Sequence, residues 1–239
     1  MKNKLLQRAI NPLQYDFDDV FWDSQSGLKS PKRKFFYEYL SEYKKQWVDA
    51  EILDIGCGTG WLVDLFIRNG AYLAEGIEPS RHSVDVAKEL FPDIKIHHGD
   101  FNSFQSEKQY DLITAVMVLN HIGDLSTAFK KINKLLKNGG ELQIVVPDYQ
   151  YFKKQRYGHE TEIERLNQDE YVAQDKDSQG LIADIVRKIK IYKEIAQKSG
   201  LNFTEHIKMY PTKSLIKHIP HYLEIKDEAI THLLRFGKF

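Results

Sequence analysis

The sequence predicts an α/β protein whose sheet is largely parallel and carries helices on both faces, a three-layer sandwich. Three observations lead there. Five strand-and-helix units alternate between about residues 50 and 148. The glycine turn Gly56-Cys-Gly-Thr-Gly60 directly follows the first of these strands. A carboxylate closes each of the first three strands, at Asp54, Glu78 and Asp100. Sheets of this kind bind ligands at their strand carboxyl ends.

Along the chain, residues 1–49 read as an aromatic helical lid. Tyr15, Phe17, Phe21 and Trp22 lie in an acidic stretch without a single period. From Pro31 the spacing of Phe35, Phe36, Tyr39, Leu40 and Tyr43 is helical, with proline at a helix start where its missing N–H costs nothing. The basic group Lys29, Lys32, Arg33 and Lys34 reads first as a solvated helix start and second as an anion contact at the mouth of a site. Residues 50–239 then form the main domain. A strand from Glu51 enters the glycine turn, a helix runs from Trp61 to Asn69, and Gly70 ends it. A second strand lies within Ala71 to Ser80 and closes on Glu78, and a third ends at His97-His-Gly-Asp100-Phe101. The fourth begins at Tyr110 and leads into a turn holding His121 and Asp124. A helix from Phe129 to Lys137 ends at Asn138-Gly-Gly140, and Glu141 to Pro147 is the fifth strand.

After Pro147 the alternation breaks. Residues 148–181 are polar and tyrosine-rich, with no clear period. Because they leave the carboxyl end of the fifth strand, they read as a substrate cap. Ile185, Ile189, Tyr192 and Ala196 predict a helix over Ile182 to Ser199 that ends at Gly200. Leu201 to Met209 and Ala229 to Phe239 read as strands.

The turn itself separates two ligand classes. A dinucleotide fingerprint G-x-G-x-x-G needs glycine at position 61, and that residue is Trp61. The order here, Asp54-Ile-Gly-Cys-Gly-Thr-Gly60, resembles motif I of the class I, Rossmann-like S-adenosylmethionine-dependent methyltransferases. Leu136-Lys-Asn-Gly-Gly-Glu-Leu142 is similar to a second hallmark of that family. The resemblance implies a seven-stranded sheet with an antiparallel last strand, S-adenosylmethionine as cofactor and S-adenosylhomocysteine as product. It places the cofactor against Asp54, Gly56, Gly58, Gly60, Glu78, Pro79, Ser80, Asp100, Phe101 and Val116. Within it Glu78 takes the ribose hydroxyls, Asp100 the adenine amine, and Phe101 lies on the ring. His121 is the candidate general base, with His159 and Glu160 as alternatives. Tyr15, Trp22, Tyr149, Tyr151 and His159 are candidate acceptor contacts.

The same comparison of motifs narrows the acceptor. Enzymes that methylate base amines carry an (Asn/Asp)-Pro-Pro-aromatic turn after the fourth strand, cytosine-carbon enzymes a Pro-Cys there, and this chain has Ala115-Val-Met-Val118. Equal numbers of acidic and basic residues, 34 each, are poor material for a phosphate-backbone binder. The expected acceptor is a polar small molecule, a sugar or related metabolite, methylated on oxygen or nitrogen. An inactive cofactor-binding module and a protein or peptide methyltransferase are the alternatives. No metal, nucleic acid or membrane partner is expected, and the chain reads as a cytoplasmic monomer or homodimer without a secretion signal. The single cysteine, Cys57, precludes an intramolecular disulfide and reads as a small packing residue between glycines.

Overall fold

The computed structural model describes residues 4–13, 29–154, 160–177 and 180–239. In chain order, α1 (Lys4–Ala9) and α2 (Pro31–Leu40) precede β1 (Glu51–Ile55), α3 (Trp61–Arg68), β2 (Leu73–Glu78), α4 (Arg81–Leu90) and β3 (Lys95–His98). β4 (Tyr110–Val116), α5 (Leu125–Leu135) and β5 (Leu136–Pro147) follow. Then come β6 (Glu160–Arg165), β7 (Glu170–Asp177), β8 (Gly180–Arg187), α6 (Ile189–Lys198), β9 (Asn202–Met209), α7 (Lys213–His218) and β10 (Thr231–Gly237).

Seven strands form one sheet in the order β3-β2-β1-β4-β5-β10-β9, and β6, β7 and β8 form a separate three-stranded sheet. The first five strands of the large sheet are mutually parallel, while β10 runs antiparallel to both β5 and β9. Side chains alternate across a strand, so β1 sends Ile52 to one face and Leu53 and Ile55 to the other. On the first face, Trp61, Leu62 and Phe66 of α3 pack with Trp47 and with Phe35 and Leu40 of α2. The Trp47 and Phe66 rings meet edge to face at 5.0 Å, the geometry favoured by aromatic quadrupoles. On the second face, Phe129 and Ile132 of α5 and Tyr192 and Ala196 of α6 cover Ile113, Ala115 and Ile144. Both faces are therefore closed, which leaves the strand ends as the place for a ligand.

Three parts of the sequence reading change. The helix expected over Phe129 to Lys137 runs from Leu125 to Leu135, and Asn138-Gly-Gly140, read as its end, lie within β5. The predicted helix Ile182 to Ser199 is a helix only from Ile189; its first third belongs to β8. Leu181, Ala183 and Ile185 alternate with Ile182, Asp184 and Val186, and both faces of that strand are covered. Its apolar residues therefore never alternate with solvent-facing polar ones, and a helical stripe could be drawn through them. Residues 148–181, read as aperiodic, contain most of an antiparallel sheet that continues to Arg187. That sheet packs Val172, Ala183 and Ile185 on Leu5 and Ala9 of α1, a short helix that the sequence reading did not separate from the lid. Among the described residues, no helix is long and apolar enough to cross a membrane.

Candidate functional site

A cavity of about 830 Å³ opens at the carboxyl ends of β1, β2 and β4 and reaches the small sheet, α2 and α7. Its floor is the turn after β1. Gly56, Gly58 and Gly60 all take left-handed φ angles, between 54° and 75°, which residues with a Cβ rarely adopt. Their surroundings differ. A Cβ on Gly58 would meet nothing within 4 Å, so that position faces open cavity, whereas a Cβ on Gly60 would lie 2.3 Å from Ile94 Cδ1. Gly58 leaves room for a ligand; Gly60 lets α3 approach β3 and its flanking loop. Met117, just past β4, also has a left-handed φ of 57° and lines the cavity, a strained backbone of the kind that gathers at ligand sites.

Two carboxylates organise the floor. Glu78 ends β2, and its two oxygens accept the N–H groups of Gly58 (2.8 Å) and Ser80 (2.9 Å). The side chain thus pins the glycine turn to the start of α4, whose first turn is capped by Ser80 through the Ser83 N–H. Asp54, 3% exposed, accepts a 2.6 Å hydrogen bond from Thr114 on the adjacent strand. Burial pushes its carboxyl up to about 7, the Thr114 bond opposes this, and the charge of Glu78 adds to it. Asp100 follows β3, where its oxygens accept from the Asn102 backbone and side chain. Phe101 is buried beside it. Lys131 donates to the Phe101 and Asn102 carbonyls.

The opposite wall comes from the turn after β4 and from the small sheet. His121 lies 3.5 Å from Asp184 of β8 and 2.9 Å from the Asn120 amide nitrogen. Its ring is also bonded to the Ala9 and Ala183 backbone, joining α1, β8 and the β4 turn. Burial holds its pKa below the ordinary value, partly offset by Asp184, which leaves the imidazole neutral near neutral pH. Arg33, 6% exposed, and Lys32 line the cavity from the first turn of α2. Arg33 is therefore not part of a purely solvated helix start, whereas Lys29 and Lys32 are exposed, as the first reading expects.

Of the residues singled out in the sequence, Asp54, Gly56, Gly58, Glu78, Pro79, Asp100, Phe101, Val116, His121 and Tyr151 are brought together around this cavity. Gly60 and Ser80 support the turn from behind and are absent from the lining. Tyr149 is also outside it: its ring meets Tyr171 at 4.9 Å, and its carbonyl accepts the Tyr171 hydroxyl. Tyr15, Trp22 and His159 lie outside the described residues. Asn120, in the turn after β4, and Asp175 and Asp184 line the cavity and were not foreseen; the two aspartates reach it only through the register of β7 and β8. Among the described residues, no three His, Cys, Asp or Glu side chains gather as a metal site. Cys57 is buried, and its side chain fills the space over Gly76.

Residues 33–218 match the family model described as "Methyltransferase domain". An uncharacterised methyltransferase of Bacillus cytotoxicus is 30% identical over 171 residues, covering 70% of this chain and 77% of that protein. The malonyl-[acyl-carrier protein] O-methyltransferase of Priestia megaterium is 33% identical over 145 residues, 59% of this chain and 51% of that protein. Among solved structures, an S-adenosylmethionine-dependent methyltransferase from Mesorhizobium loti superposes with a TM-score of 0.69 at 17% identity, covering 87% of this chain and 99% of the other.

Proposed function

The chain belongs to the methyltransferase-domain family, and on that premise we propose that it transfers the methyl group of S-adenosylmethionine to an oxygen or nitrogen of a polar small molecule. One observation carries the reading. The glycine floor, the carboxylates at the strand ends and the wall formed by the small sheet enclose one continuous cavity. About 830 Å³ lies toward the upper end of the ~300–1,000 Å³ of small-molecule sites.

The residues present fit the cofactor. Gly58 offers a cradle without a Cβ, and the buried Thr59 hydroxyl beside it has no hydrogen-bond partner among the described residues. Asp54 and Glu78 supply negative charge toward a cationic ligand. Asp100, Phe101 and Val116 would hold an adenine between a carboxylate and apolar side chains. When bound, S-adenosylmethionine supplies a methyl group made electrophilic by its sulfonium.

What this chain must add is alignment and dryness, since in-line displacement gains most from fixed geometry and excluded water. Tyr151, Phe152 and Tyr222 supply apolar walls, and α2 and the small sheet close the cavity at its sides. His121, the candidate general base, is engaged by the Asn120 amide and by the Ala9 and Ala183 backbone, so taking a proton from a hydroxyl acceptor would require one of these bonds to open. The test is incubation of the purified protein with methyl-labelled S-adenosylmethionine and pools of polar metabolites. Label should enter the small-molecule fraction. Label confined to added proteins, or to nothing while S-adenosylhomocysteine binds, contradicts the reading.

A further inference from the structure

β3 is an edge strand of the large sheet, four residues long, and pairs with β2 alone among the described strands. The segment that leaves it, Asp100 to Asn102, lines the cavity at that edge with little of the sheet to support it. Locally it closes on itself. The Asp100 carbonyl accepts the Ser103 and Phe104 N–H groups, each at 3.1 Å, and the Ser103 hydroxyl at 2.9 Å.

A tie to the other side of the fold comes from Lys131 of α5. Its ammonium donates to two consecutive carbonyls, those of Phe101 at 2.5 Å and Asn102 at 2.9 Å. It also lies 4.9 Å from the centre of the Phe101 ring, within the range of a cation–π contact. The peptide unit between Phe101 and Asn102 is thereby held at both ends. Its oxygen accepts from Lys131, and its N–H donates to Asp100 Oδ1 at 3.2 Å. The Asn102 side-chain amide holds the other Asp100 oxygen at 3.1 Å. A chain of bonds thus runs from the Lys131 ammonium through one peptide group to the Asp100 carboxylate. Turning that peptide moves the carboxylate, and a cation on its carbonyl polarises the N–H at the other end. Lys131 is itself half-buried and does not line the cavity, so it acts on a ligand only through these residues.

We propose that Lys131 is a positioning residue for the purine: it sets the Asp100 carboxylate, and so the preference for a base that carries an exocyclic amine. The proposal rests on the methyltransferase reading above, in which Asp100 takes the adenine, and adds a residue outside the cavity that governs cofactor selectivity. A purine without the amine leaves that carboxylate without its donor, so the preference reports how firmly Asp100 is held.

The test is calorimetric titration of the full chain with S-adenosylhomocysteine and with its desamino analogue, which carries hydrogen in place of the exocyclic amine. Wild type should prefer the amine-bearing nucleoside by at least about tenfold, the scale of a hydrogen bond to a charged group. Lys131→Met keeps the helix propensity and the aliphatic stem. It should cut that preference to about threefold or less while affinity for the desamino analogue stays within about threefold of wild type. Lys131→Arg, which still donates to the carbonyls, should restore most of the preference. In an Asp100→Ala background Lys131→Met should have no further effect on it. An unchanged preference in folded Lys131→Met overturns the proposal. So does an equal loss for both nucleosides, which marks a purely structural tie, or the absence of a preference in wild type. Should Lys131→Met not fold, Lys131→Gln carries the same comparison. Failure of the wild type to bind S-adenosylhomocysteine would instead defeat the methyltransferase reading.

Discussion

Asp54 couples protonation to stability and, on the proposed function, to cofactor binding. Its carboxyl titrates at about 7 in the folded chain against an ordinary 3.8. The folded state therefore keeps a proton that the unfolded state gives up. The stabilising contribution is complete below about 3.8 and is lost as pH rises through about 7. Asp54→Asn, which can still accept from Thr114, should stabilise the ligand-free protein above neutral pH by on the order of 2 kcal/mol, read from denaturant midpoints. A cationic cofactor reverses the balance by favouring the carboxylate. Binding of S-adenosylmethionine near pH 7 should release a proton and tighten as pH rises, seen as buffer-dependent calorimetric enthalpy in wild type and not in Asp54→Asn. Proton uptake would contradict this. Glu78→Ala should weaken S-adenosylhomocysteine binding by about 1.5–3 kcal/mol, because the proposed ribose contacts would be lost together with the anchors of Gly58 and Ser80. Gly58→Val should be worse, since its side chain would enter the cavity from a left-handed backbone. The strand-end acids and Gly58 were legible in the sequence because a local motif specifies them. Asp175 and Asp184 were not, since they reach the cavity through pairing of strands that the local pattern does not announce, and Asn120 was not, since nothing in the local pattern marks it as the partner of Asp184.

Among the elements, the small sheet and α1 act as a pair. Leu5 and Ala9 pack on Val172, Ala183 and Ile185, and His121 ties both to the β4 turn. Deleting the first 28 residues, or replacing the chain from Tyr149 to Gly180 with a Gly/Ser linker, should abolish methyl transfer while leaving part of the cofactor affinity. Turnover retained in both would sink the cap role. His121→Ala should lower the thermal midpoint by the equivalent of about 1–3 kcal/mol, the cost of buried partners left unsatisfied. A large fall in kcat in a protein of unchanged midpoint would instead mark it as the general base. The strands and helices of the large sheet were readable because glycines punctuate them and their apolar periods are clean. The small sheet was not: its strands are rich in charge at Glu160 to Arg165, and β8 is covered on both faces.

At the scale of the whole molecule, a parallel sheet closed on both faces leaves its strand ends open, and α2 and the small sheet turn that opening into a cavity. The central claim is that this cavity is built for an S-adenosyl nucleoside and not for a dinucleotide. Trp61, in place of the glycine that a pyrophosphate turn needs, lines it from the first residue of α3. Calorimetric titration of the full chain with S-adenosylhomocysteine and, separately, with NAD decides the matter. The account predicts micromolar-range binding, about −8 kcal/mol, for the first and no saturable binding for the second; preferential binding of NAD would contradict it.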